Sequence, residues 1–286
     1  MPRVTITNRW MLNLALAAVV LGLAALVYFR PAPHAPPGPP LTALSATAVH
    51  KVRIDRGGEA IVLERTADGW RLQAPVAARA NEFNVDSLLR LVSISSSFQT
   101  AADPAALGMY GLDKPLLRLQ LNDEEIAVGA MHPMRQQHYV RYRDQVHLIP
   151  SYVLASAFQH YTNFIDTRLL EEGRTLRALR LPNLSLVQKD GTWQREPPLK
   201  EQELSVDRLN ELVAEWENAR ALSVQKFTPR PAQAQVHLTF ATAPETLTLA
   251  ILAYKPQLIL ARRDEGLEYH FPEEVGKRLL MVRSEE

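Results

Sequence analysis

NVDSLLRLV at residues 84–92 recurs as SVDRLNELV at residues 205–213, and the flanks repeat with it. Ahead of the first copy stand Asp68-Gly69-Trp70 and then Pro75; ahead of the second stand Asp190-Gly191-Thr192-Trp193 and then Pro198. Behind them, HYVRYRDQVHLIP at 138–150 is echoed by LILARRDEGLEYHFP at 258–272. Three matched blocks in one order, separated by a common interval, mark an internal duplication. The boundaries that follow are a first module over 49–161, a connector over 162–174 containing FIDTRLLEEG, and a second module over 175–286.

Each copy opens on alternating strand-like runs, VHKVRIDR and AIVLERTADGWRLQAP in the first, TLRALRLP and LSLVQKDGTWQREP in the second. The Asp-Gly pairs at 68–69 and 190–191 are hairpin signals, and Trp70 and Trp193 follow on the return strand. A helix comes next, with Asn84 or Ser205 as the expected N-cap and Asp86 or Asp207 in its first turn. Val85, Leu88, Leu89 and Val92, and in the second copy Val206, Leu209, Leu212, Val213 and Trp216, recur at helical spacing and predict one buried face. Strands are then predicted at 116–121, 125–131, 138–144 and 145–150, matched by 235–241, 245–254, 257–263 and 267–271, with closing helices near 151–160 and 273–281. Short links between them favour antiparallel meanders. The fold class is therefore α+β: two tandem modules of antiparallel meander sheet with packed helices.

Outward from the duplication, the N-terminus carries WMLNLALAAVVLGLAALVYF over residues 10–29 without a charge. At about 1.5 Å per residue it covers a hydrocarbon core of roughly 30 Å, which predicts a transmembrane helix. Trp10 at one end and Tyr28 and Phe29 at the other stand where the membrane interfaces would fall. Arg3 and Arg9 precede the run and Arg30 follows it, a slight bias that puts residues 1–9 in the cytoplasm and the soluble part in the periplasm of a bacterial inner membrane. A cleaved signal peptide is disfavoured: Pro31, Pro33, Pro36 and Pro37 occupy the cleavage region, and Ala46-Thr47-Ala48 lies too far downstream. Residues 30–48 then read as a proline-rich extended spacer.

Composition bounds the chemistry. The 286 residues are 47% hydrophobic and 22% charged, as in a globular chain, and a formal net charge of +1 supplies no field for nucleic acid. Absence of cysteine removes disulfides, thiolate metal sites and cysteine nucleophiles. His132, His138, His147 and His160 lack the spacing of a metal motif, and His138 and His147 are expected to be solvated or capped on strands. Ser93, Ser95, Ser96 and Ser97 lack a nucleophile elbow. Asp123-Glu124-Glu125 and Glu171-Glu172 read as solvated turn carboxylates, and Arg135, Arg141, Arg143, Arg262 and Arg263 as a solvated strand face interleaved with Asp144 and Asp264. A phosphate-binding glycine loop is absent. The expectation is a non-enzymatic protein with no cofactor and no resident metal.

Tyr110-Gly111-Leu112-Asp113-Lys114-Pro115 reads locally as a turn before a strand: Gly111 for positive φ, Asp113 for a side-chain bond to a backbone amide, Pro115 for extended entry. With the anchor, the Gly-Trp…Pro segment and the capped helix, this block resembles the bacterial family called domain of unknown function 4340, over most of 49–160 and more weakly over 175–280. The second copy departs from it, with FTPRPAQAQ at 227–235 where the first has YGLDKPLLR. The resemblance implies a membrane-anchored envelope protein, often associated with gliding-type ABC transporter genes, and transfers no catalytic residue.

The expected function is an accessory subunit of a gliding-type ABC transport system, its partners the lipid bilayer and an ABC permease or other envelope membrane protein. The alternative is a periplasmic scaffold or envelope-glycan-binding protein; an envelope hydrolase would need an acid, base and nucleophile that do not converge in the sequence. Loops 101–115 and 130–137 are the expected contact segments, with Tyr110, Gly111, Leu112, Asp113 and Pro115 as the contact block.

Overall fold

The computed structural model describes residues 6–29, 40–96, 98–198, 205–242 and 245–280. The chain divides into two compact units, Met1–Pro39 and Pro40–Glu286. In the first, α1 runs from Ile6 to Phe29. Its described side chains, those of residues 10–25, cover about 24 Å of helix. Over the described residues, no helix is long and apolar enough to cross a membrane. The side chains of Tyr28 and Phe29 lie outside the described ones, as do residues 30–39 of the expected spacer.

The second unit begins earlier than the expected Val49. Leu41 is buried and its N–H donates to the Ile94 carbonyl at 2.7 Å, and the Thr42 hydroxyl donates to the Val92 carbonyl at 3.1 Å. Residues 40–48 therefore belong to the fold and not to a spacer, because one leucine and one threonine find partners at residues 92–94, just past the helix of residues 82–89.

The first half places β1 (Lys51–Asp55), β2 (Ile61–Thr66) and β3 (Gly69–Ala74) before a short β4 (Ala78–Arg79) and helix α2 (Glu82–Leu89). A three-residue β5 (Gln99–Ala101) precedes the meander β6 (Leu117–Leu121), β7 (Glu124–Met131), β8 (Gln137–Tyr142) and β9 (Gln145–Pro150), closed by α3 (Ser151–Leu154). The second half repeats the series: β10 (Leu176–Arg180), β11 (Ser185–Lys189), β12 (Thr192–Arg195), α4 (Val206–Glu217), β13 (Ser223–Lys226), β14 (Ala234–Phe240), β15 (Thr246–Ala253), β16 (Gln257–Arg262), β17 (Leu267–Pro272) and α5 (Glu273–Leu280).

The strand orders are β4-β3-β2-β1-β6-β7-β8-β9-β5 and β12-β11-β10-β14-β15-β16-β17-β13, identical once β4 is set aside, and the paired strands are antiparallel. The duplication read from three sequence blocks is thus a duplication of topology. Alternation explains the inner faces: Val52 and Ile54 on β1 and Leu117, Leu119 and Leu121 on β6 are buried, while Arg53, Arg118 and Gln120 between them are exposed. The hairpin turns form where Asp-Gly predicts them, with Gly69 at φ 106° and Asp190 and Gly191 at 50° and 77°.

Two helix expectations are corrected. The N-cap of α2 is Asn81, not Asn84; its side-chain oxygen accepts from the Asn84 N–H at 3.3 Å. The reason is tertiary: the Asn81 N–H donates to the Phe164 carbonyl at 2.8 Å, which fixes the chain three residues upstream of the expected start. The closing helix of the first half is one α turn followed by a 3-10 turn over Ala155–Phe158, shorter than 151–160. In the second half Ser205 caps α4 as expected, accepting from the Arg208 N–H at 3.3 Å.

One continuous buried cluster runs from Leu41 to Leu280 and takes side chains from both sheets. The connector joins them. Ala80 bridges Ile165 and Arg168 bridges Arg220, both antiparallel. The Asp166 N–H donates to the Arg79 carbonyl, and the Leu169 N–H to the Ala219 carbonyl, each at 2.9 Å. Phe164, Ile165, Leu169 and Leu170 fill the core beneath these bonds. Residues 164–170 are therefore an internal part of the fold.

Candidate functional site

The outer face of the first sheet carries a second, smaller apolar cluster. A 3-10 turn over Leu107–Tyr110 ends at Gly111, whose φ of 64° turns the chain back so that the Leu112 N–H reaches the Leu107 carbonyl at 3.0 Å. Leu112 then packs with Ala127 and Val146, flanked by Leu107, Tyr110 and Tyr139. Asp113 is exposed and Pro115 half-buried as the chain enters β6, where the Leu116 N–H donates to the Val128 carbonyl at 2.8 Å. The block expected to make contacts is therefore anchored from beneath, and Leu112, named among its contact residues, is instead buried against the sheet.

Gly129 makes that approach possible. A Cβ there would sit 2.4 Å from the Tyr110 carbonyl oxygen and 2.9 Å from Leu112 Cδ2. Gly129→Ala is expected to destabilise the fold by roughly 2 kcal/mol, because backbone must move to admit one methyl; a urea midpoint unchanged from the parent would refute it. The second half reaches the same end by other residues: Phe227 and Ala232, with Ile259, pack on Ala250, Leu252 and Ala261. The sequence divergence at 227–235 is thus a different cover for an equivalent sheet face.

The two expected contact loops meet at one end of the first sheet. The rings of Tyr110 and Tyr139 lie 4.8 Å apart and those of His132 and Tyr139 5.7 Å apart. The Met134 N–H donates to His132 Nδ1 at 3.1 Å, and the Arg135 N–H to the His132 carbonyl at 3.3 Å, closing a turn with Pro133 in second place. Around these rings Met109, Met131 and Met134 are 72%, 57% and 90% exposed. These methionines escaped the sequence reading; the signal for them is two apolar residues in the Met131-His132-Pro133-Met134 hairpin, where turn chemistry calls for polar ones.

A polar network lies where the connector crosses both halves. Arg79 donates to the Arg168 carbonyl at 2.6 Å and the Leu170 carbonyl at 3.2 Å, and lies 3.4 Å from Asp166 and 3.6 Å from Glu265. Arg262 donates to the Leu169 carbonyl at 2.9 Å and pairs with Asp264 at 2.8 Å and with Glu171 and Glu265 at 3.2 Å. The Tyr269 hydroxyl donates to Glu265 at 2.7 Å. Arg262 is the hub: its side chain is only 5% exposed, which removes it from the expected solvated strand face, whereas Arg135, Arg143 and Arg263 are exposed. Burial would press its proton off, but the bond to Asp264 and the charges of Glu265 and Glu171 outweigh that and hold it charged. Burial likewise opposes the Glu171 charge, but Arg262, a backbone hydrogen bond and Arg79 together outweigh it, so its carboxyl lies below the ordinary range. Burial and then the Glu265 charge push the Tyr269 hydroxyl upward. A polar cleft of about 470 Å³ adjoins the network, lined by Asp68, Trp70, Arg71, Arg79 and Glu82 on one side and connector residues on the other.

The remaining candidates are dispersed. Glu124 pairs with Arg143 at 2.6 Å and Glu125 with Arg118 at 2.7 Å, so these carboxylates brace the meander. Arg263 lies 5.9 Å over the Phe227 ring. Ser96 bonds locally to Phe98 and accepts the Leu148 N–H at 3.3 Å; Ser95 bridges Pro40, and Ser97 lies outside the described residues. His160 meets the Thr162 hydroxyl at 2.9 Å and His138 the Ser151 hydroxyl at 3.0 Å. Among the described residues, no three of His, Asp or Glu group as metal ligands.

His147 is buried, against the expectation of a solvated or capped ring, and its Nδ1 has no hydrogen-bond partner among the described residues. Opposite it on β8 is Val140, a core residue, which places the ring on the inner face. Burial holds both His138 and His147 below their ordinary 6.5. Between those depressed values and 6.5 the unfolded chain binds more protons than the fold, so the stability these rings contribute is complete above pH 6.5 and declines as pH falls below it. The urea midpoint is expected to drop from pH 7.5 to pH 5.5, and to drop less in His147→Leu; equal drops would remove His147 from the account.

A protein-family model described as a domain of unknown function (DUF4340) matches residues 70–239. No curated protein and no solved structure matches the chain.

Proposed function

The chain belongs to the DUF4340 family, and from that premise we propose that it is a membrane-anchored, non-enzymatic envelope protein acting as accessory subunit of a gliding-type ABC transport system. The observation that carries the anchor is α1 itself: from Trp10 onward it is uncharged and mostly apolar, yet Trp10 is 70% and Leu21 69% exposed. Such a surface is stable in hydrocarbon and costly in water. With the uncharged run of residues 10–29, it supports a helix in the bacterial inner membrane, the N-terminus cytoplasmic and the unit from Pro40 onward periplasmic. In this reading α1 meets the permease within the bilayer and the folded unit meets partners outside it.

C-terminal reporter fusions test the topology: alkaline phosphatase active and green fluorescent protein dark is the expected pair, and the reverse pair overturns it. Purification in mild detergent is expected to recover an ABC permease or ATPase, and recovery of neither removes the transporter assignment while leaving topology standing.

The polar cleft beside Trp70 favours a second reading, a scaffold that binds an envelope glycan, since acids, arginines and an indole together suit a hydroxyl-rich ligand. Glycan binding by the full-length protein without recovery of a transporter would favour it.

A further inference from the structure

We propose that Met109, Met131, Met134 and His132 form a binding site for a soft monovalent cation, Cu(I). Of the chain's six methionines these three are the ones described in the folded unit, and all three lie exposed on the two loops that meet at one end of the first sheet. The loops are held together from beneath. A Cβ on Gly111 would come within 2.9 Å of the Ala130 backbone nitrogen, and one on Gly129 within 2.4 Å of the Tyr110 oxygen, so segments 109–111 and 129–131 run side by side. Met109 therefore starts beside the strand that ends in Met131, and the flexible thioether side chains span what remains.

The duplication supplies an internal contrast. Between β7 and β8 the hairpin has residues 132–136, whereas its counterpart between β15 and β16 has only Tyr254-Lys255-Pro256, with neither methionine nor histidine. The lengthened hairpin of one half thus carries His132 and Met134, with Met131 at its edge. Packing gives no reason for them: Met134 at 90% exposure gains nothing from the core.

The donor set selects the ligand. Uncharged, polarisable sulfur favours Cu(I) over hard or borderline divalent ions, and imidazole is compatible with it. Tyr139 packs against the ring of His132 and Tyr110 against Tyr139, so aromatic surface, which attracts cations, adjoins the donors. Lys114 and Arg135, exposed on the same two loops, oppose a divalent charge more than a monovalent one, and Asp113 offsets them in part. His132 Nδ1 now accepts the Met134 N–H. Ligation through Nδ1 takes that lone pair; ligation through Nε2 requires the ring proton to move to Nδ1. Either way the bond to the Met134 amide is exchanged on loading.

The site uses only residues of the folded unit, so its test is independent of the membrane and transporter assignments. Full-length protein in detergent, held anaerobically, is titrated with Cu(I) delivered as its bicinchoninate complex. Withdrawal of about one equivalent is expected, with affinity lowered about tenfold or more when Met109, Met131 and Met134 are all leucine. Ag(I), which has the same soft character and no redox chemistry under these conditions, is added to protein with ¹³C-labelled methionine methyls as a second measurement on the unaltered chain. The methyls of Met109, Met131 and Met134 and the amide of Met134 are expected to shift while Met11 stays in place. Copper left on the chelator, unchanged withdrawal by the leucine variant, or a Met11 shift as large as the others would each overturn the proposal.

Discussion

Replacing Trp216 with alanine is expected to lower the stability of the whole folded unit by about 3–5 kcal/mol, the range for a fully buried large aromatic. The side chain is among the largest completely buried ones, and its indole N–H donates to the Leu279 carbonyl at 2.8 Å, tying α4 to α5. Truncation removes the apolar surface, opens a cavity between those helices, and strands a carbonyl at the C-terminal end of α5. Because one core cluster takes side chains from both sheets, the loss is expected to appear as a single unfolding transition moved to lower urea, followed by far-ultraviolet circular dichroism. A biphasic curve, with the first half melting at its parental midpoint, would show that the halves are energetically separate.

Arg262→Ala is expected to cost roughly 3 kcal/mol, the lower part of the range for breaking a buried pair by removing one partner. Asp264 and Glu171 reach solvent and can rehydrate, which moderates the loss; Glu265 and the Leu169 carbonyl are more enclosed and lose a donor. The charge and the volume are separable. Arg262→Met keeps most of the packing, and adding Glu265→Gln removes the stranded charge, so the double variant is expected to regain more than half of the loss. If Arg262→Ala and the double variant unfold at the same midpoint, the ion pairs contribute packing alone. Measurements at pH 7.5 keep this clear of the histidine window below 6.5.

Much of the fold was legible because it rests on local patterns. Strict alternation on β1 and β6, Asp-Gly at the two hairpins and Ser205 before α4 are each decided within a few residues. The errors fall where distant chain intervenes. Asn81 caps α2 because Phe164 holds its amide from the far side of the module, a bond that no reading of 81–92 contains. Arg262 and Arg263 are adjacent and look alike in sequence, yet at the end of β16 one turns inward onto the connector and the next outward over Phe227. Of the proposed metal site only the loops were singled out, and for another role: loops 101–115 and 130–137 meet, but the exposed methionines have no propensity signature and emerge only when both hairpins are compared.

The bridges at Ala80–Ile165 and Arg168–Arg220 carry one last consequence. β4 and the residues just before β13 would otherwise offer unpaired amides and carbonyls to any neighbouring copy, the usual starting point for strand-by-strand polymerisation. Residues 164–169 occupy that position from within the same molecule, and the opposite borders, β5 and β12, are only three and four residues long. A chain assembled almost wholly from antiparallel ribbons is in this way kept from templating fibres, and severing the segment between its halves would expose the very surfaces that invite them.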